Sequence, residues 1–388
     1  MRRMMAGMAA LAVLACACVQ AQERPRAREV GVVVGAMATG PRNAIVDVAG
    51  VAVGHATVHE ATRLHTGATA ILPHGGDLYR DRVPAAMVVG NGYGKLIGIT
   101  QVQELGELET PILLTGTLNV WRVADAVATW QLGRPGMEEV RSLNVVVGET
   151  NDGYLSDIRA RPLGEAQVRR ALESASTLHV EEGAVGAGAG TVAFGWKGGI
   201  GTSSRRLEKN AGGYTVGVLV QSNYGGDLTI NGVPMRGRLP DPQATAAGLD
   251  ARMLVANAPI PRDGDGSVMV VVATDAPLDA RQLQRLARRA LLGIGRTGSP
   301  MTNGSGDYVI AFSTAAEARH RMGVERQQLQ VLANEGMTPL FQAAAEATEE
   351  AVLNSLFKAT TVRGHQGTVP ALPLERVLPW VVPDEGAR

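Results

Sequence analysis

From Val268 to Ala273 the chain reads VMVVVA, six residues without a polar side chain. Such a run rich in Val favours an extended strand. Side chains of a strand alternate between its two faces. A strand with no polar alternation therefore needs cover on both. That requirement excludes an open sheet with one wet face and calls for stacked layers. Other apolar runs repeat the demand: Val30–Val34, Ile45–Val53, Ala68–Leu72, Ala85–Val89, Leu143–Val147, Tyr214–Val220 and Tyr308–Phe312. Helical spacing of apolar residues marks Leu118–Leu132, Glu165–Ser174, Asp279–Leu292 and Phe341–Leu356. Strands and helices mix over the whole length, so the class is α/β (α+β), with a layered sandwich as the expected architecture.

The edge of the VMVVVA run carries the oddest residue. Ser267 stands between Gly266 and the first valine, after an Asp/Gly turn cluster. A turn residue is the plain explanation. The alternative is that Gly266–Ser267 is a bond built to break. Cleavage would leave Ser267 with a free α-amine, whose ordinary pKa is near 8. That amine can act as a base at neutral pH, beside the hydroxyl it must activate. The stretch Met235–Gly266, rich in proline and glycine, reads as an exposed loop between two structured halves, where chain cleavage is easy.

Other chemistries find little support. Lys plus Arg and Asp plus Glu number 37 each, and aromatics are 4% of the chain. Neither a general basic field nor a set of stacking platforms points to nucleic acid. His55 and His59 are four apart, but their Gly- and Thr-rich surroundings are strand-like, and no metal is expected. The glycine-rich stretches 183–191 and 195–204 fit neither phosphate-loop pattern. They read as tight turns or as a backbone wall around a site. No G-x-S-x-G elbow occurs. No cofactor is called for.

The first residues carry Arg2 and Arg3, an apolar run from Met8 to Val19, and a cleavage-type end at Ala21. Residues 1–21 thus read as a signal peptide, too short to span a membrane. Export to the periplasm or beyond is expected, with lipid anchoring at Cys16 the weaker alternative and no stable membrane insertion. Both cysteines, Cys16 and Cys18, lie in this leader. The mature chain would have no disulfide, thiolate ligand or cysteine nucleophile.

Polar residues cluster at several predicted strand ends. GETNDGYLSD holds Glu149, Asn151, Asp152, Tyr154 and Asp157 after one strand; QSNYGG places Asn223 after another; TNGSGDYVIAFST sets Ser305 and Asp307 before a third. Rigid strand ends are where sites tend to sit. These stretches, with GWKGGIGTSSRRL and DGSVMVVVATDAPL, together resemble the L-aminopeptidase D-esterase/β-peptidyl aminopeptidase family, from about Val30 to the C-terminal region.

The resemblance implies a four-layer αββα sandwich like that of N-terminal-nucleophile hydrolases, with different connectivity. It implies self-cleavage into an α chain (22–266) and a β chain (267–388) that stay together as one domain and assemble into a homo-oligomer of αβ units. Ser267 matches the nucleophile, and Ser305 and Asp307 match the polar pair beside it. Asn223 and Tyr154 match oxyanion contacts, and Glu149 matches the carboxylate that holds a substrate's free amine. Asp307 is the shorter of the two acids the family uses at its position. The implied activity is removal of N-terminal residues from short peptides, amides or esters through an acyl-enzyme. The proton of Ser267 goes to its own amine or to the Ser305/Asp307 pair. Two other functions remain open: a pantetheine-like amide hydrolase or acyltransferase of the same fold, and an exported, non-catalytic small-molecule binding protein.

Overall fold

A computed structural model describes residues 23–250 and 266–382. The predicted signal segment, with Cys16 and Cys18, lies outside them, as do residues 251–265 of the loop before Gly266. In chain order come β1 (Ala52–Glu60), β2 (Leu64–Leu72), β3 (Asp81–Gly92), β4 (Leu96–Ile97), α1 (Ile99–Leu105), β5 (Glu107–Leu108), β6 (Ile112–Gly116), α2 (Val120–Leu132), β7 (Val146–Thr150) and α3 (Glu165–Glu173). There follow β8 (Val192–Ala193), β9 (Trp196–Lys197), β10 (Gly199–Arg206), β11 (Thr215–Asn223), β12 (Thr229–Ile230), β13 (Val233–Pro234) and α4 (Pro242–Asp250). After the gap come β14 (Ser267–Thr274), α5 (Ala280–Arg296), β15 (Gly306–Ser313), β16 (His320–Arg321), α6 (Met337–Lys358) and α7 (Leu374–Val381).

Two sheets carry the architecture. The first runs β1-β2-β6-β7-β4, and the second runs β10-β11-β14-β15-β3-β16, with β5 also on β3. Each contains one parallel pair, β6–β7 and β14–β15. Apolar side chains from both inner faces, including Ile71, Ile112, Leu219, Met269, Val271 and Ile310, form the core between them. The alternate residues of β14, Val268, Val270 and Val272, face outward onto α5 and α6. Across the molecule α2 and α3 cover the first sheet through Val123, Val127, Val168 and Ala171. The layers are helix, sheet, sheet, helix, as the unbroken valine run requires. Every residue of β14 is buried.

The helix spacing was informative for α5. Asp279 caps it by accepting the Gln282 N–H at 2.7 Å, and the Gln282 side chain returns a bond to the Asp279 N–H at 3.0 Å. Leu283, Leu286, Ala287 and Ala290 form the buried face, and Leu291 is only partly covered.

Some expected strands are absent or displaced. Val30–Val34 is not a strand: a 3-10 turn ends at Val30 and Gly31 takes φ 85°. Ile45–Val53 splits into a 3-10 turn and the start of β1. The run Leu143–Val147 enters its strand only at Val146. In the first two, buried valines and isoleucines pack as loop anchors, which gives the same composition without a ladder, whereas in the third Leu143 and Val145 are only partly buried and precede the strand. The predicted loop Met235–Gly266 contains the helix α4.

Candidate active site

The ladders of the second sheet put three residues in one row. Asn223 ends β11 and lies opposite Ser267, and Ser267 pairs in parallel register with Gly306 of β15. Three distant segments thereby meet at one sheet level, held by strands that are wholly buried.

Gly306 supplies the row's donor. Its N–H donates to Gly266 O at 3.2 Å and to Ser267 Oγ at 3.3 Å. The carbonyl of the Gly266–Ser267 bond and the adjacent hydroxyl share one proton donor. No side chain fits here: a Cβ on Gly306 would lie 2.7 Å from Gly94 Cα and 3.1 Å from Ser267 Oγ. Gly266 is equally confined, since a Cβ there would meet Tyr224 Cα at 2.4 Å. The glycine before the serine is needed for close backbone approach.

Ser305 and Asp307 flank Gly306. Ser305 Oγ donates to Asp307 Oδ1 at 2.7 Å, and Asp307 Oδ2 is buried with no hydrogen-bond partner among the described residues. Burial pushes the Asp307 carboxyl up to about 6, and the Ser305 bond pulls the other way. The side-chain amide of Asn91, in β3, donates to the Ser305 carbonyl and braces the loop. Asn91 had no signal in the sequence, because only the sheet order brings β3 beside β15.

Asn223 is oriented by the hairpin β8–β9. Val192 N–H donates to Asn223 Oδ1 at 2.9 Å, so the amide nitrogen is turned away from the hairpin. Phe194 N–H donates to Tyr224 O at 2.8 Å and ties the turn to the next residue. This hairpin joins the two glycine-rich stretches 183–191 and 195–204, with β8 between them and β9 in the second. Tyr154 is buried in one apolar cluster with Leu155, Val192, Ala246 and Val369, so it packs beside β8.

Glu149 belongs to the other sheet, on β7, and reaches the row through Gly94. A Cβ on Gly94 would lie 2.8 Å from Glu149 Oε1 and 3.2 Å from Gly306 Cα. The carboxylate is buried and already engaged. Lys95 donates to its Oε1 from the backbone N–H at 2.9 Å and from Nζ at 3.5 Å, while Nζ also donates to Thr117 Oγ1 at 2.7 Å. Lys95 is a further site residue that sequence spacing could not place, 54 positions before its partner. Asp152, in the same predicted cluster, is buried too, and burial pushes it up to about 6. Asn151 instead closes a local turn by accepting from Gly153 N–H, and Asp157 pairs with Arg63 at the surface.

Four of the histidines make local contacts. His55 Nδ1 lies 2.9 Å from Thr69 Oγ1, the rings of His59 and His65 meet across β1 and β2 at 4.5 Å and are tilted by 58°, and His74 Nε2 lies 2.8 Å from Asp81 O. Among the described residues no three acidic, histidine or cysteine side chains gather as a metal site, and no helix is long and apolar enough to cross a membrane.

The sequence profile of peptidase family S58 matches residues 43–369. The chain is 39% identical over 369 residues to the β-peptidyl aminopeptidase BapA of Sphingosinicella microcystinivorans, covering 90% of each chain. Among solved structures, a β-aminopeptidase from Burkholderia superposes with a TM-score of 0.83 at 36% identity, over 94% of this chain and 100% of that one. The L-aminopeptidase D-Ala-esterase/amidase of Ochrobactrum anthropi, described as a new variant of the Ntn hydrolase fold, superposes with a TM-score of 0.80 at 36% identity. That match covers 91% of this chain and 97% of the other.

Proposed function

The chain belongs to peptidase family S58, and from that premise we propose an exported serine aminopeptidase that activates itself by cutting Gly266–Ser267. The observation that carries the reading is the shared donor: Gly306 N–H reaches both the Gly266 carbonyl and the Ser267 hydroxyl. A donor already on that carbonyl stabilises the charge that develops when the hydroxyl adds to it. Ser267 Oγ attacks Gly266 C, the C–N bond breaks so that the amide shifts to an ester and frees the Ser267 amine, and water then cleaves the ester to give the Gly266 carboxylate and return the Ser267 hydroxyl.

The same residues then act on substrate. The freed amine takes the hydroxyl proton, with the Ser305/Asp307 pair as polar support one residue to each side of Gly306. Ser267 forms an acyl-enzyme, and the first product leaves as an amine or alcohol. The oxyanion is met by the Gly306 N–H, the Asn223 amide and the Tyr154 hydroxyl. Glu149 receives the substrate's terminal ammonium by a charge-assisted bond, which selects peptides, amides and esters with a free N-terminal amine. Both chains remain joined because the second sheet interleaves them: β11 precedes the cut and β14 follows it. Assembly of αβ units into a homo-oligomer is part of the proposal.

The test is Ser267→Ala. The variant is expected to persist as one chain and to release no p-nitroaniline from an aminoacyl p-nitroanilide. Ordinary turnover by this variant would end the assignment. Glu149→Gln separates aminopeptidase from other amide hydrolysis: it is expected to cripple free-amine substrates and spare N-blocked ones.

A further inference from the structure

Lys197 is a buried amine that the chemistry above leaves unused, and burial pulls it down to about 7. It lies in β9 with no exposed surface. Asp152 is the acidic group that acts on it, yet neither Asp152 oxygen completes a hydrogen bond among the described residues. Burying an ammonium without a directly paired carboxylate is costly. What the amino group holds is two backbone carbonyls: Nζ donates to Gly188 O at 2.9 Å and to Gly198 O at 2.7 Å.

Those carbonyls lie on either side of the β8–β9 hairpin. Their own residues cannot contribute side chains, since a Cβ on Gly188 would lie 2.4 Å from Ile200 N and one on Gly198 would lie 2.5 Å from Ser222 O. Two more bonds close the same ring. Thr191 Oγ1 donates to Gly188 O at 3.0 Å, and Gly198 N–H donates to Thr191 O at 3.2 Å. The next residue is Val192, whose N–H holds Asn223 Oδ1 at 2.9 Å. The path from the lysine to the row of Asn223, Ser267 and Gly306 is a continuous set of short bonds.

We propose that Lys197 is a positioning residue for the oxyanion site: its amino group clips the hairpin so that Val192 fixes the Asn223 amide toward the carbonyl attacked by Ser267. The inference rests on the assignment of Asn223 as an oxyanion donor. It gives the buried lysine a function that an apolar side chain of equal length could not perform, because two convergent carbonyls need a donor between them.

A double-mutant cycle tests it. Lys197→Met, Asn223→Ala and the double variant are compared on a free-amine aminoacyl p-nitroanilide, per mature two-chain enzyme. If maturation stalls, the rate at which the Ser267 N-terminus appears is read by the same cycle. Lys197→Met is expected to lower kcat about 10- to 100-fold through misplacement of the amide, with KM changed less than about 2-fold since no ground-state contact is lost. In the Asn223→Ala background it should remove nothing more. Losses that multiply in the double variant, or an unchanged kcat in Lys197→Met, would overturn the inference while leaving the Asn223 assignment standing. Full kcat in Asn223→Ala would instead remove the assignment, and the inference with it. If Lys197→Met does not fold, Thr191→Val weakens the same ring without touching the lysine. It should lower kcat several-fold, again with no further loss in the Asn223→Ala background, and multiplying losses there would overturn the inference equally.

Discussion

Gly306→Ala places a methyl where the two sheets come closest to the nucleophile. The new Cβ would sit 2.7 Å from Gly94 Cα and 2.8 Å from Gly94 N, both backbone atoms that no rotamer change can clear. Relief to ordinary contact requires about 0.7 Å of separation in a close-packed interior. If β15 retreats by that amount, the Gly306 N–H contacts to Gly266 O and Ser267 Oγ, now 3.2 and 3.3 Å, pass beyond hydrogen-bonding range. Loss of one oxyanion donor costs about 10²- to 10³-fold in kcat. Gly306→Ala should therefore slow both chain cleavage and turnover by at least about 10²-fold. The assay is the fraction of cut chain by gel over time, with p-nitroanilide turnover per folded molecule. Gly295→Ala is the control. It lies in α5 with nothing within 4 Å of the added Cβ, and should stabilise by about 0.5 kcal/mol without affecting either rate. If Gly306→Ala cuts itself fully and keeps kcat within about 3-fold of the parent, the Gly306 N–H is not an oxyanion donor, since such a donor is worth far more.

Asp307 gives a pH signature. Its carboxyl is raised to about 6 by burial, above its ordinary value near 4. Its contribution to stability is favourable below the unfolded value and is lost as pH rises through about 6. Asp307→Asn should gain stability over the parent as pH goes from 5 to 8, by about 1.4 kcal/mol, read by urea unfolding at both pH values; an equal difference at both would contradict the burial argument. Arg205 is wholly buried on β10 and bridges Glu346 and Glu350 of α6 at 3.2 and 2.8 Å, across the two prospective chains. Arg205→Met leaves those carboxylates short of a partner and should cost about 3–5 kcal/mol in chemical denaturation, although Arg28 still pairs with Glu350. A loss below about 1 kcal/mol would place the cluster among pairs that contribute little.

The layered fold was legible because β14 has no polar position from Val268 to Ala273 and so demanded cover on both faces. Ser267, Ser305 and Asp307 were legible because each stands beside the start of an apolar run, and Asn223 because it ends one. Their convergence follows from sheet register, which no local pattern encodes. The same holds for Lys95, Asn91 and Gly306. Gly306 contributes only a backbone N–H, and a backbone group leaves no trace in residue type beyond the need for a glycine. The false strands at Val30–Val34 and Ile45–Val53 arose because buried valines anchor loops as readily as they fill ladders. The glycine-rich hairpin was ambiguous until Val192 was seen to hold Asn223.

Self-cleavage at Gly266–Ser267 is the claim on which the rest turns, and intact-mass spectrometry of the purified mature protein with N-terminal sequencing measures it directly. The account predicts two chains, the smaller beginning Ser267-Val268-Met269-Val270, and none of this cut in Ser267→Ala. A single uncut chain that stays whole for days at neutral pH, or a cut at another bond, would contradict it and leave Ser267 as no more than the buried first residue of β14.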